Sequence, residues 1–330
     1  MISLYYNMMC KITLGNVVIE HVNSITIEES IKILEDKGTI ILPREYREAV
    51  VNGKSASFAG KNILDFIKVD DPVTIELGYD DDIETEFTGY VSSISADIPL
   101  VIECEDEMHF LRKSNFMQAF LSISLQELLN FIAPDYDHDI IDDISLGKFT
   151  INNESAYQVL NRLRKDYGLH SRFVNKVLQV GFPISLKPQK VHEININRNV
   201  RAQQNDLKFV RKEDFKILLK AISINKNGER LQEDFGDKGG AQRTLHFMNK
   251  TKDALKELAE KNYKSLNFDG YQGNIPTWGI PRTKAGESFE ITDPNYLNSE
   301  RDGQYLIEGV TKKFNGTAGF LRINKLSLKL

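Results

Sequence analysis

Two cysteines, one tryptophan and nine prolines in 330 residues exclude several architectures at once. A disulfide-stapled secreted module needs far denser cysteine, and no C-x-x-C pair is present. Cys10 and Cys104 each sit among apolar neighbours and read as buried, reduced thiols. No stretch nears the roughly 20 consecutive apolar residues of a membrane-spanning helix, so no span is expected. The opening MISLYYNMMCKITLG has neither a basic start nor a long apolar run before Lys11, which predicts no signal peptide. The glycosylation-like triplets at Asn153, Asn249 and Asn315 are then chance matches. Positive charge is also short: 42 Lys and Arg against 47 Asp and Glu give a net charge of −5. Stable grip on nucleic acid normally needs a basic surface, so that class is disfavoured.

Chemical motifs are missing too. There is no G-x-x-x-x-G-K-[ST], G-x-S-x-G or H-E-x-x-H. Gly236-Asp237-Lys238-Gly239-Gly240 lacks the Lys-Ser/Thr that would hold phosphate and metal, and reads as a flexible loop. Asp135-Tyr136-Asp137-His138-Asp139 with Asp142-Asp143 is the densest carboxylate cluster. It has neither the sharp-turn glycine nor the closing Glu of a calcium loop, so a solvated acidic loop is the favoured reading. His109 lies near Glu105, Asp106 and Glu107, but strand alternation puts neighbours on opposite faces, against a convergent acid–base site. The other histidines are isolated. Trp278, Tyr271 and Tyr305 could stack on a sugar, yet lone aromatics usually pack. The expectation is no enzyme, no catalytic residue, no cofactor and no metal.

What is present is an ordinary apolar and charged content, 41% and 27%, over a length that suits two or three cored domains. Residues 1–108 read as strands. Ser24 to Leu34 should turn at Asp36-Lys37-Gly38 into Thr39–Pro43. Residues 44–62 read as a long loop. Val73, Ile75, Leu77 and Tyr79 alternate as a half-buried strand requires, Asp80-Asp81-Asp82 turns, and Thr85–Ile94 and Val101–Glu105 return. After Phe110 the period changes. Ser124 and Glu127 form a capping box ahead of Leu125, Leu128, Leu129 and Ile132, and Pro134 stops that helix. A second helix starts near Asn153 and ends at Gly168, and short strands follow at 171–174 and 177–180. Beyond 191 strands return at 215–224, ending at Asn227-Gly228, then at 288–291, 303–310 and 320–328, with a turn at Asn315-Gly316 and one helix over 251–265. A strand–turn–Gly-x-Tyr or Gly-Tyr pattern occurs in both β-rich parts, at 70–94 and at 285–307, as a weak internal repeat. The fold class expected is mainly β with α+β: a first β-barrel domain over 1–108, a small α+β domain over 109–190, and a second, similar β-barrel domain over 191–330 with one inserted helix.

Two stretches carry more specific information. One runs Val73-Thr74-Ile75-Glu76-Leu77-Gly78-Tyr79, Phe87-Thr88-Gly89-Tyr90-Val91 and Ile102 to Met108. The other runs Gly270-Tyr271-Gln272-Gly273 to Gly279-Ile280-Pro281, Gly286-Glu287, Asp302-Gly303-Gln304-Tyr305 and Gly319-Phe320-Leu321-Arg322. In order and spacing the chain resembles the baseplate hub proteins of contractile phage tails, the late-control D or Mu-like tail hub family. It is also similar to the hub part of type VI secretion spike proteins. The resemblance implies a late virion structural protein, made in the bacterial host cytoplasm and placed in the tail baseplate. It implies a homotrimer whose six barrels adapt a six-fold tail tube, or tube-initiator protein, to a three-fold central spike. DNA would pass through the central channel without specific binding. Expected contacts between chains are strand edges of 73–105 against those of 288–328. Two departures matter. The sequence ends at Leu330 just after a strand, so the spike is expected to be a separate chain, and no lysozyme-like part is attached. His109 stands where relatives often have an aromatic residue. The alternatives are a hub of a host-encoded injection system or, in a different class, a cell-wall polysaccharide binder or wall-degrading protein.

Overall fold

The structure is a computed structural model that describes residues 7–43, 48–57, 65–95, 99–141, 144–182, 188, 190–201, 206–214, 216–225, 229–296 and 299–330. The protein is mainly β. Its first part holds β1 (Met8–Leu14), β2 (Val17–Ile19), β3 (Ser24–Ser30), β4 (Lys37–Leu42), β5 (Glu48–Val51), β6 (Lys54–Ser57), β7 (Pro72–Tyr79), β8 (Asp82–Ser95) and β9 (Leu100–Glu105). Then come α1 (Met108–Leu111), β10 (Phe116–Ser124), α2 (Leu125–Ile132), β11 (His138–Ile140), β12 (Ser145–Glu154), α3 (Ala156–Tyr167), β13 (His170–Val174) and β14 (Val177–Gly181). The last part holds β15 (Val191–Asn195), α4 (Ile196–Asn199), β16 (Lys208–Val210), β17 (Ile217–Ile224), β18 (Arg230–Gly236), β19 (Ala241–Met248), α5 (Lys252–Leu266), β20 (Gly270–Trp278), β21 (Ser288–Thr292), β22 (Gly303–Asn315) and β23 (Gly319–Lys329).

The helices start where local chemistry directs. Ser124 and Glu127 cap α2 reciprocally, and Ser155 and Gln158 do the same for α3, two residues beyond the Asn153 start expected. Gly168 ends α3 in the left-handed conformation, φ 71°. The apolar faces then sink into a shared core: Leu125, Leu128, Leu129 and Ile132 from α2, and Val159, Leu160 and Leu163 from α3.

Two strand expectations change. β3 stops at Ser30 because Ile31 and Leu34 leave the sheet, and Leu34 is buried in the core built around α2 and α3. Inside the expected 44–62 loop, β5 and β6 form a hairpin turning at Asn52-Gly53, with φ 50° and 72°. Positive φ at both central residues is what a tight two-residue hairpin requires, and Asn-Gly supplies it. The remaining residues of that segment, Asp142-Asp143, Phe215 and the Asn227-Gly228 turn lie outside the described residues.

Among the described residues, apolar side chains gather in four cores. The first draws on β1 to β5 and β7 to β9 together with Phe314 and Phe320 from β22 and β23. The second surrounds α2 and α3, the third lies among β15, β20, β21, β22 and β23, and the fourth holds Leu219, Ala221, Leu255 and Ala259. The helix expected as a lone insertion therefore arrives with its own sheet, in the order β18-β17-β19.

The two β-rich parts, far apart in sequence, share one sheet. It runs β16-β20-β23-β22-β3-β4-β9-β8-β7-β1-β2-β5-β6. Its seam is β22 against β3, Gly309 to Ser30 through Asn315 to Ser24. β22 manages this by changing partner along its length: Gly303–Leu306 pairs with β21 and Gly309–Asn315 with β3, across register shifts near Ile307. Bulges of this kind bend a strand from one sheet direction to another.

The expected strand-edge contacts between chains meet strands that are largely paired within the chain: β7, β9, β21, β22 and β23 each have a partner on both sides, while β8 pairs with β7 over Asp82–Tyr90 and with β9 over Tyr90–Ser95. A backbone edge already paired within its own chain has no amides left to offer another.

Candidate functional site

The most unusual chemistry lies at the seam. Strand parity places Lys312 between Val310 and Phe314 on the inward face of β22, and Arg322 between Phe320 and Asn324 on that of β23. Both cations are essentially inaccessible, at 1% and 0% exposure. Glu86 meets them because it is the extra residue of a bulge: Ile75 pairs with Phe87 and Glu76 with Thr85, leaving Glu86 unpaired and turned inward.

Arg322 pairs with Glu86 and donates from Nε to Gly279 O (2.7 Å) and from Nη1 to Thr283 O (3.0 Å). Lys312 lies 3.0 Å from Glu86 Oε2, donates to Glu86 O (3.1 Å), and pairs with Glu29. Burial alone would lower the Lys312 ammonium, but Glu29 and Glu86 together hold it above its ordinary value. Buried charges persist only when paired this fully.

Beside these ions is a cavity of about 260 Å³ where all three parts of the chain meet. β3, β8 and the segment after β9 supply Glu29, Glu86, Asp106 and Glu107; β13 supplies Arg172 and the turn after it Lys176; the turn before β21 supplies Lys284 and Glu287. Arg172 bridges two parts, donating from Nε to Gln179 Oε1 (3.0 Å) and from Nη1 to Ala285 O (2.9 Å). His192 Nε2 lies 2.7 Å from Glu287 Oε2. The lining mixes charges of both signs, and the pairing of Glu29 and Glu86 with Lys312 and of Glu287 with His192 suits a structural joint. Among the described residues no group of three or more His, Cys, Asp or Glu is arranged to hold a metal ion.

The residues weighed from sequence disperse. Glu105 accepts from Arg112 Nε at 2.9 Å, Asp106 turns to the cavity, and His109 Nε2 lies 2.6 Å from Asp70 Oδ1. His138 Nε2 lies 3.0 Å from Ala133 O and its Nδ1 3.2 Å from Asn130 Oδ1, closing the end of α2, while Asp139 accepts from Gln179 at 2.8 Å. Tyr271 and Tyr305 are core residues, 5% and 0% exposed, whereas Trp278 is half exposed beneath Arg201.

The glycine-rich segment is a hydrogen-bonded turn, not the loose loop expected. It carries the chain from β18 across the start of β17 to β19. A Cβ at Gly236 would come 2.4 Å from Ile217 O, and one at Gly240 2.6 Å from the Lys216 backbone. Close crossing of two backbones is the need those glycines meet.

Sequence reasoning missed the ion cluster. Parity of Val310, Lys312 and Phe314 was the available signal for Lys312. No local signal announces the bulge that turns Glu86 inward.

No known sequence family and no curated protein sequence matches the chain. Solved structures do. A tail protein from Neisseria meningitidis MC58 superposes with TM-score 0.63 at 14% identity, covering 98% of this chain and 97% of that one. The 43 kDa tail protein of prophage MuSo2 from Shewanella oneidensis gives 0.62 at 15% identity, with 97% of each chain covered. An Escherichia coli type VI secretion component, described as similar to the T4 tail proteins gp27 and gp5, gives 0.54 at 9% identity over 94% of this chain and 74% of that one. The chain therefore has the fold of phage tail proteins. Among that class, its neighbours also include a type VI secretion component built on the same plan.

Proposed function

We propose that this protein is the structural baseplate hub of a phage or prophage contractile tail. The observation that carries the reading is the near end-to-end likeness to the two phage tail proteins, together with a joint built from paired ions. Its two β-rich parts, over 1–108 and 191–330, act as the two barrel domains of the hub, and 109–190 is the middle domain. Three chains form a ring in which six such units meet the six-fold tube on one side and a separate three-fold spike on the other. A net charge of −5 per chain repels DNA phosphates, which suits a channel that passes DNA without holding it. No helix of the described residues is long and apolar enough to cross a membrane.

A surface fit for assembly supports the reading. β10 pairs only with β12 among the described strands, and it exposes Met117 and Leu121 at 79% and 89%. Exposed apolar side chains beside an open strand edge favour contact with another protein. At the ends of the large sheet, β6 and β16 each lack a second partner among the described strands.

Negative-stain images of the purified protein test the proposal. Three-fold rings with a central hole are expected; solid or two-fold particles in tail preparations would contradict it. A hub of a host-encoded injection system would have the same shape, and neighbouring genes separate the two.

A further inference from the structure

Strand edges that stay open are normally guarded by charged side chains, and the guarding here is uneven. Among the described strands of seven or more residues, β10, β12, β18 and β19 each pair with a single other strand. β18 carries Arg230, Glu233 and Asp234, and β12 carries Lys148 and Glu154. Of Asp, Glu, Lys and Arg, β19 holds Arg243 alone and β10 holds none. These two least guarded edges also match in length, nine residues in β10 and eight in β19. Within the chain they do not pair with each other.

Each of the two leaves an apolar flank half covered. The inward row of β10 holds Phe116 and Phe120, whose ring centroids each lie 5.4 Å from that of Phe131 in α2, and Phe131 is itself 39% exposed. The outward row shows Met117 and Leu121 to solvent. On β19, Leu245 and Phe247 stand opposite Ala221 and Ser223, on the side where Leu219 and Ala221 meet α5, and both are only partly buried. Gln242 and Thr244, on the other side of β19, are exposed.

We propose that β10 of one copy pairs edge to edge with β19 of the next copy, joining the two-stranded and three-stranded sheets into one sheet of five. This contact deepens the three-fold hub reading and rests on it. Each chain has one β10 and one β19, so every copy offers β10 to one neighbour and β19 to the other. Such a head-to-tail contact closes into a ring, whereas β10 against β10 is two-fold and cannot close three copies. β18 is a poor partner, because it would set Glu233 and Asp234 beside an edge that has no cation to meet them. In the joined sheet α2 of one copy and α5 of the next lie on the same side, with Phe116 and Phe120 beside Leu245 and Phe247. Ala119 and Thr244 approach each other on the opposite side.

Ala119→Cys and Thr244→Cys in one chain, treated in isolated tails with a bifunctional maleimide, test the contact. Both positions are exposed and near mid-strand, and a linker spanning about 10 Å covers about three residues of register. The native thiols are buried. A covalent ladder ending at three chains is expected, about 113 kDa from 37.7 kDa each, and neither cysteine alone should give one. Three-copy units without a ladder would overturn the edge pairing and leave the ring standing. Tails with no three-copy unit would overturn the ring, and this contact with it. Charge exchange gives a reading that needs no cysteine. Met117→Lys with Leu121→Lys, or Gln242→Glu with Thr244→Glu, should each lower the three-copy yield about tenfold or more. All four substitutions together should restore it, and a combined chain that recovers no better than either pair would overturn the proposal.

Discussion

Glu86 and Arg322, 236 positions apart, form an ion pair that is sealed from solvent at the seam between the two β-rich parts. Removing one partner leaves a buried guanidinium and the Lys312 ammonium short of negative charge. Glu86→Ala should therefore cost about 3–5 kcal/mol in urea unfolding. A loss under about 1 kcal/mol would mean that the pair is hydrated and not part of the joint.

Cys10 and Cys104 are free and buried. Burial, with Glu20 nearby, pushes the Cys10 thiol up to about 11, and burial with Glu103 pushes Cys104 to about 12. Since the thiolate is the reactive species, the folded protein should resist a thiol reagent near neutral pH, and denatured protein should take up two labels. An unlabelled product lighter by two mass units would reveal a disulfide instead.

His109, His138 and Asp139 have structural partners in Asp70, Ala133 and Gln179. Alanine at each should leave tail assembly and infectivity near normal. Infectivity lost from tails that assemble normally would point to a chemical role for the residue.

Met117→Glu combined with Leu121→Glu removes no core contact, because both side chains point to solvent. The doubly substituted chain should fold with its thermal midpoint within about 2 °C, a surface-substitution effect, and fail to enter tails. Normal incorporation would show that the β10 ribbon is not an assembly surface.

How much of this was readable in the sequence depended on whether the signal was local. The capping boxes at Ser124 and Ser155 and the left-handed Gly168 are satisfied within a few residues, so α2 and α3 were visible at once, or within two residues. Alternation from Val73 to Tyr79 gave β7 for the same reason. Leu34 read as the end of the strand that starts at Ser24, yet its burial is decided by a core assembled from residues more than 70 positions on. The Asn52-Gly53 hairpin carried a local signal, hidden by the polar residues around it. The ion cluster required knowing that β22 would lie against β3, a pairing across nearly the whole chain. The two β-rich parts read as separate for want of that one register.

A three-fold ring of this chain fixes its copy number at three in an intact tail. Three 37.7 kDa chains make a unit of about 113 kDa. Calibrated mass measurement on gently disassembled baseplates should yield that unit, one per tail, carrying about −15 in formal charge from three chains of −5. A monomer, a dimer or a six-copy ring recovered from intact tails would contradict the account.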